Sequence, residues 1–540
     1  MSTPENNNES GPALAGLGWW NIYFKLKFAL FYQGKIGFHA LENLSFAAFL
    51  LIPLKQRALN ILRNIVAIPV ALWLFHYDSF LPPLSRLTAQ MNQLLEFETS
   101  YLIELLMRFV PASAVLSLIV LIAVYYLLSR FFRVSVVVVV ALVILAFTSL
   151  PKEQSARPVG GNTAAPTLTS TSDDSLTSNE GINRYLSDFF RTEQDRMVDF
   201  SPALQARKDF DILLLSVCSL SWEDLAVTKL ADHPFFSRFD VIFNQFNAAT
   251  SYSGPALLRL TRASCGQPSH AALYEDTPAQ CDLFENLAKL GYSEELVMNH
   301  NGEFDSLLEK MRLYGGMESP LFPQGGMTAA QKAFEGSPVY SDLQMLSRWW
   351  QSRLLNAQPG KPVAALYNTV SLHGGNQVIG EKPSFGEESF SLRAKTLFAE
   401  LNEFFDILER SERDIVVVLV PEHGAGLSGD KMQIPGMREI PSPTITHIPV
   451  AVKFFGQGME RRDKVAHVEQ PTSYQALAQL LDNVVEQDIY GKRRYMASEV
   501  ARGLPETAEV SQNEGSTVIK LGDNHFISLD DRTWNEYPTE

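Results

Sequence analysis

Two short segments of this chain hold residue types that do chemistry. In Thr250-Ser251-Tyr252-Ser253-Gly254-Pro255 a group of hydroxyls precedes a proline-started helix. In Pro421-Glu422-His423-Gly424 a carboxylate and an imidazole follow the apolar run Ile415–Val420. Neighbouring side chains point apart in a regular strand, but a Pro-to-Gly turn lets Glu422 and His423 converge on one cation. A carboxylate with an imidazole suits zinc. The helix N-terminus would stabilise negative charge on a bound phosphoryl group, and metal coordination activates an otherwise weak serine hydroxyl. Ser253 is the candidate nucleophile, with Thr250 and Ser251 as competing hydroxyls. Alone, Ser253 reads as a plain helix cap and the Glu-His pair as a surface loop. Together they read as a metal-activated hydroxyl.

Other residues could complete such a site. Cys218 ends the run Phe210–Val217, and a thiolate is a good zinc ligand. The chain has three cysteines; Cys265 and Cys281 flank a short polar loop that suits a local disulfide, which leaves Cys218 as the odd thiol. His373, in Leu372-His373-Gly374-Gly375, could protonate a leaving group or hold a phosphate. Arg438 could neutralise a phosphate, and Tyr252 could position a substrate. His300 and His447 are weaker candidates.

These residues need a frame. The runs Phe210–Val217, Val363–Val370, Ile415–Val420 and Ile448–Phe455 read as strands buried on both faces. They alternate with helical stretches at 184–197, 255–263, 282–290, 339–356, 388–411 and 473–486. That alternation predicts an α/β domain with a mainly parallel sheet flanked by helices. In such sheets, sites gather beyond the carboxyl ends of the strands, where Cys218, His373 and Glu422-His423 fall.

The first 150 residues differ in character. Apolar stretches near 20–38, 39–54, 58–76, 112–129 and 132–150 predict about five transmembrane helices, the first weakened by Lys25, Lys27 and Lys35. The stretch 88–108 is amphipathic and suits an interface. No cleavable signal peptide is expected, the first twenty residues being polar. Lys55, Arg57 and Arg63, with Arg130 and Arg133, place their loops in the cytoplasm and everything beyond residue 150 outside, which in a bacterium is the periplasm. The expected division is a membrane domain over 1–150, a flexible linker rich in Ser, Thr, Gly and Pro over 151–181, and a periplasmic catalytic α/β domain over 182–540. Residues 1–150 carry ten Lys and Arg against seven Asp and Glu, leaving 35 against 53 in the rest. So acidic a catalytic region argues against nucleic acid as a partner.

Several segments in order carry a resemblance: Val217-Cys-Ser-Leu-Ser-Trp222, Ala249-Thr-Ser-Tyr-Ser-Gly-Pro255, Arg262-Ala-Ser-Cys-Gly-Gln267, His300-Asn-Gly302, Val420-Pro-Glu-His-Gly424 and Ile440-Pro-Ser-Pro443. A strand ending at a metal ligand, then a hydroxyl nucleophile at a helix start, then an acid-His pair resembles the alkaline phosphatase/sulfatase superfamily. The anchor, linker and outer domain resemble its phosphoethanolamine transferase branch, and the whole chain is similar to the bacterial cellulose phosphoethanolamine transferases. The resemblance implies one zinc held by Cys218, Ser253, Glu422 and His423, with Ser253 as nucleophile. It implies substrate-side roles for Tyr252, His373 and Arg438, and a Cys265–Cys281 disulfide. The implied reaction moves phosphoethanolamine from phosphatidylethanolamine, an inner-membrane lipid, to the glucose 6-hydroxyl of cellulose, beside a membrane-embedded cellulose synthase complex. Cys218 stands where the superfamily usually has an acidic ligand, and Glu422-His423 where it has Asp-His; no second ligand set is evident, against a two-metal mechanism. A sulfatase reading lacks the arginine expected two residues beyond Pro255. Transfer to lipid A or another envelope glycan, and a non-catalytic scaffold of a synthase complex, are the alternatives.

Overall fold

Runs of aliphatic side chains without polar alternation are stable only where both faces of a strand are covered. In the computed structural model of this chain the described residues are 16–33, 36–54, 56–79, 112–129, 133–148, 177–200, 209–358, 360–530 and 532–538, with single positions between 97 and 105. Seven strands form the main sheet: β1 (Asp211–Val217), β2 (Val241–Asn247), β3 (Ser293–Met298), β4 (Val363–Thr369), β5 (Ile415–Pro421), β6 (His447–Phe455) and β7 (Ala466–Val468). Their order is β7-β2-β6-β5-β1-β4-β3. Every residue of β1, β4 and β5 is buried.

Alternate residues of these strands enter two cores. Ile212 and Leu214 of β1 pack with Val416, Val418, Val450 and Val452, under Leu477 and Leu480 of the helix Tyr474–Glu486. Leu213 and Leu215 pack with Val417 and Leu419 on the other face, against Trp349, Phe398, Leu401 and Phe405 of the helices Asp342–Leu355 and Gly386–Ser411. Each fully buried aliphatic side chain contributes about 1.5–3 kcal/mol, so the helices are held to the sheet mainly by these faces.

Strand direction then sets where the loops meet. β1 is parallel to β4 and β5, and β3 to β4. β6 runs antiparallel to both β5 and β2, so β2 shares the direction of β5. The carboxyl ends of β1 to β5 and the amino end of β6 therefore lie along one edge of the sheet. The predicted α/β architecture, mostly parallel and flanked by helices, is the one observed. β2 (Val-Ile-Phe-Asn-Gln-Phe-Asn) and β3 (Ser-Glu-Glu-Leu-Val-Met) were outside the predicted strands because polar residues interrupt their apolar runs.

A second, antiparallel sheet, β8 (Val510–Asn513), β9 (Ser516–Leu521), β10 (Asn524–Ser528) and β11 (Trp534–Tyr537), pairs consecutive strands. It buries Val510, Ile519, Phe526 and Trp534 against Ile182 and Phe189 of the helix Asn179–Gln194. Its strands mix apolar with polar residues and carry no aliphatic run to mark them in the sequence.

The chain divides into two compact units, Met1–Ala89 with Leu106–Ser170, and Gln90–Leu105 with Thr171–Glu540. The first contains the helices Trp20–Tyr32, Ala40–Leu51, Arg57–Asp78, Ala112–Ser129 and Val134–Thr148. Five crossings are not supported. Among the described residues one helix, Arg57–Asp78, is long and apolar enough to cross a membrane; Ala40–Leu51 and Val134–Phe147 are apolar but shorter. The helix Trp20–Tyr32 has 13 residues where about 20 are needed. The expected linker up to residue 176, and the amphipathic stretch 88–108 apart from single positions, lie outside the described residues.

Candidate metal centre

Backbone bonds lash the strand ends together at this edge. Cys218 N–H donates to the Thr369 carbonyl at 2.9 Å, Glu422 N–H to Val217 at 2.9 Å, and Leu220 N–H to His423 at 2.6 Å. The ends of β1, β4 and β5 are thus fixed to one another before any side chain is considered. Ser219, between Cys218 and Leu220, takes a left-handed φ of 67°, a strained geometry of the kind that clusters at functional sites.

The side chains meet inside this frame. One ligand atom each of Cys218, Glu422 and His423 lies within 4.8 Å of the others, and all three residues are buried. Ser253 Oγ stands 3.5 Å from Cys218 Sγ and 3.3 Å from His423 Nε2. Ser253 is the first residue of the helix Ser253–Thr261 and Tyr252 is its N-cap, so the hydroxyl is not the helix cap. The competing hydroxyls are otherwise engaged: Thr250 Oγ1 donates to Asn513 Oδ1 at 3.0 Å, and Ser251 Oγ donates to the Arg438 carbonyl.

The donor set fits a cation. Glu422 Oε1 accepts from Ser216 Oγ at 3.3 Å and from Asn368 Nδ2, whereas the buried Oε2 has no hydrogen-bond partner. A buried carboxylate oxygen left unpaired is costly, and a metal would satisfy it. His423 Nδ1 lies 2.9 Å from the Gly424 carbonyl, which makes Nδ1 the donor and leaves the Nε2 lone pair facing Ser253 and Cys218. Thiolate, imidazole, carboxylate and serine oxygen match the ligand preferences of zinc.

Electrostatics say the same. Burial, then the Glu422 charge, pushes the Cys218 thiol up to about 12. Burial raises the Glu422 carboxyl, opposed by the polar groups around it. Burial and the Arg438 charge hold His423 well below its ordinary value, hence neutral. Without a cation the cluster keeps the thiol proton, and a cation would expel it.

Of the remaining predicted residues, Arg438 stands against the cluster itself. Arg438 Nη1 donates to Ser219 Oγ at 3.3 Å and stands 3.4 Å from His423 Nε2. Tyr252 Oη donates to Glu439 Oε1 at 2.8 Å. His373 stacks on Phe334 at 4.4 Å with Nδ1 2.8 Å from the Gly374 carbonyl. Burial, then repulsion by Arg438, pushes it down to about 3. It is neutral at pH 7, which opposes a resting role as proton donor. His300 sits behind the cluster, its Nε2 2.8 Å from Asn368 Oδ1. His447 is spent on the Asn244 carbonyl at 2.6 Å. Cys265 and Cys281 form a disulfide.

Three residues not predicted as site residues position the others. Asn368, buried inside β4, orients Glu422. Asp224, also buried, accepts from the backbone of Ala425 and Leu427 and holds the loop after His423. Asn513 bonds Thr250, Ser251 and the Arg438 carbonyl from the second sheet. An asparagine within an apolar run, as Asn368 is, was the one usable signal.

The chain matches the family described as cellulose biosynthesis protein BcsG, through its N-terminal domain over residues 20–147 and its C-terminal domain over residues 167–534. It is 39% identical over 544 residues to the cellulose biosynthesis protein BcsG of Salmonella typhimurium strain LT2, covering 97% of this chain and 96% of that protein. The protein of that name from Escherichia coli strain K12 is 39% identical over 551 residues, with the same coverage. Among solved structures, a Vibrio parahaemolyticus protein of the alkaline phosphatase superfamily has a TM-score of 0.47 at 15% identity, covering 66% of this chain and 91% of that one. With both domains matched in order, the chain belongs to the BcsG family.

Proposed function

We propose that this chain is a zinc-dependent phosphoethanolamine transferase that modifies cellulose, with phosphatidylethanolamine as donor and the glucose 6-hydroxyl as acceptor. The observation that carries the reading is the placement of Ser253 Oγ between Cys218 Sγ and His423 Nε2, while Thr250 and Ser251 are engaged elsewhere. The names of the BcsG relatives, as cellulose biosynthesis proteins, support the acceptor. Residues 1–150 would anchor the protein in the bacterial inner membrane and 151–181 would link them to a periplasmic catalytic domain over 182–540, close to a lipid donor and to a cellulose synthase complex.

Cys218, Ser253, Glu422 and His423 would hold the zinc, which when bound supplies Lewis acidity that lowers the Ser253 pKa and polarises the donor phosphate. Ser253 Oγ attacks the donor phosphorus, the bond to the diacylglycerol oxygen breaks, and diacylglycerol leaves with the proton that the Ser253 hydroxyl gives up. Arg438 meets the phosphoryl charge that builds as this happens. In the second half the acceptor oxygen attacks the same phosphorus and the Ser253 oxygen leaves, regaining the proton that the acceptor hydroxyl gives up. His373, held neutral with its Nδ1 hydrogen on Gly374, offers Nε2 as a hydrogen-bond acceptor that can orient the acceptor hydroxyl. Two displacements at one serine imply ping-pong kinetics.

Solid-state NMR of cellulose from a strain lacking the gene tests the acceptor. The aminoethyl phosphate signal should vanish and return with the wild-type chain but not with Ser253→Ala. A signal that survives deletion would refute the cellulose assignment.

A further inference from the structure

Phosphoethanolamine is a zwitterion whose ammonium is tethered to phosphorus by one oxygen and two carbons. A site that selects it must meet both charges within a short span, and consecutive Cα atoms are about 3.8 Å apart. Arg438 and Glu439 are adjacent residues of opposite charge at the edge of the metal cluster. Their backbone is clamped. The Arg438 carbonyl accepts from Ser251 Oγ and from Asn513 Nδ2 at 3.2 Å, and the Glu439 carbonyl accepts from Asn513 Nδ2 at 3.0 Å and Ser516 Oγ at 2.8 Å. Ile440 is pinned in turn by Gln433 through two bonds, at 2.8 and 2.9 Å.

The clamp aims the side chains. Arg438 reaches Ser219 and His423, while the half-buried Glu439 takes the phenol of Tyr252, the residue before the nucleophile. Accepting a phenol does not require a charge, since a glutamine oxygen would do it equally well. A carboxylate held beside an aromatic ring, next to the phosphate-binding guanidinium, is the chemistry that receives a primary ammonium. We propose that Glu439, with the ring of Tyr252, binds the ammonium of the transferred group while Arg438 binds its phosphoryl oxygens. The Arg438-Glu439 pair thereby selects phosphoethanolamine over phosphoesters that lack an ammonium. This rests on the transferase reading and names the selectivity element of that same site.

Isothermal titration calorimetry on the full-length, zinc-loaded chain tests it with two ligands, O-phosphoethanolamine and 2-hydroxyethyl phosphate, which replaces the ammonium by a hydroxyl. The wild type should prefer the zwitterion by about 10- to 100-fold, the range of a hydrogen bond to a charged group. Glu439→Gln, which keeps the phenol acceptor, should abolish the preference. Tyr252→Phe should retain most of it, as should Glu439→Asp, which serves if the glutamine variant does not fold. No preference in the wild type, or an undiminished one in Glu439→Gln, overturns the proposal. The transferase reading fails separately: formation of a covalent Ser253 adduct without ammonium preference sinks this inference alone, and absence of the adduct sinks the reading beneath it.

Discussion

At the scale of single residues, protonation marks out the candidate ligands. The Cys218 thiol, pushed up to about 12, keeps its proton at pH 7 in the metal-free cluster, so zinc binding must release one. His423 is held neutral and offers no competing proton. Zinc affinity should therefore rise about tenfold per pH unit between about pH 6 and 8, one proton leaving Cys218 for each ion bound. Competition with a chromophoric chelator reads the slope; a flat profile would mean that Cys218 is not a ligand. Asn368→Leu removes the donor to Glu422 Oε1 and should weaken zinc binding about 10- to 100-fold in the same assay. Thr250→Ala should act differently. It breaks a buried bond to Asn513, so unfolding should cost about 1–3 kcal/mol less while zinc affinity is kept.

At the scale of elements, the loops after β1 and β5 are one construction. A Cβ on Gly424 would come within 2.5 Å of Ser221 Oγ and 2.8 Å of Asp224 Oδ2. Asp224 in turn caps the helix Trp222–Val227 with Ser221 and holds Ala425 and Leu427. Gly424→Ala should therefore displace His423, lowering zinc affinity along with a stability loss of about 1–3 kcal/mol in denaturant unfolding. Unchanged zinc affinity would show that the turn is not what places the imidazole. The same elements show what can be read without coordinates. β1, β4, β5 and β6 announce themselves as aliphatic runs because both their faces are covered, and chemical type alone marks Cys218, Glu422 and His423 beyond them as candidate ligands. β2 hides behind Asn244, Gln245 and Asn247, and β8 to β11 alternate with polar residues like any surface segment. Asn513 could not be found at all, since it meets Ser251 from 262 positions along the chain and has no local pattern to mark it.

At the scale of the molecule, the sheet separates stability from chemistry. At the edge opposite the cluster, Asp211 is buried between Arg353 at 2.9 Å and Arg413 at 2.5 Å and accepts from Val363 N–H. Asp211→Asn leaves two guanidiniums short of a counter-charge and should cost about 3 kcal/mol in denaturant unfolding, with zinc affinity unchanged because the whole sheet lies between. Membership of the BcsG family spans both units of the chain, through separate N- and C-terminal domains. The central claim is that Ser253 carries the transferred group. Mass spectrometry of the Ser253 peptide, after incubating the full-length zinc-loaded chain with phosphatidylethanolamine and no acceptor, tests it most directly. A phosphoethanolamine mass increase on Ser253, removed by adding acceptor glucan, is predicted. An unmodified Ser253 peptide from a chain that still transfers the group, or the increase on Thr250 or Ser251 instead, would contradict it.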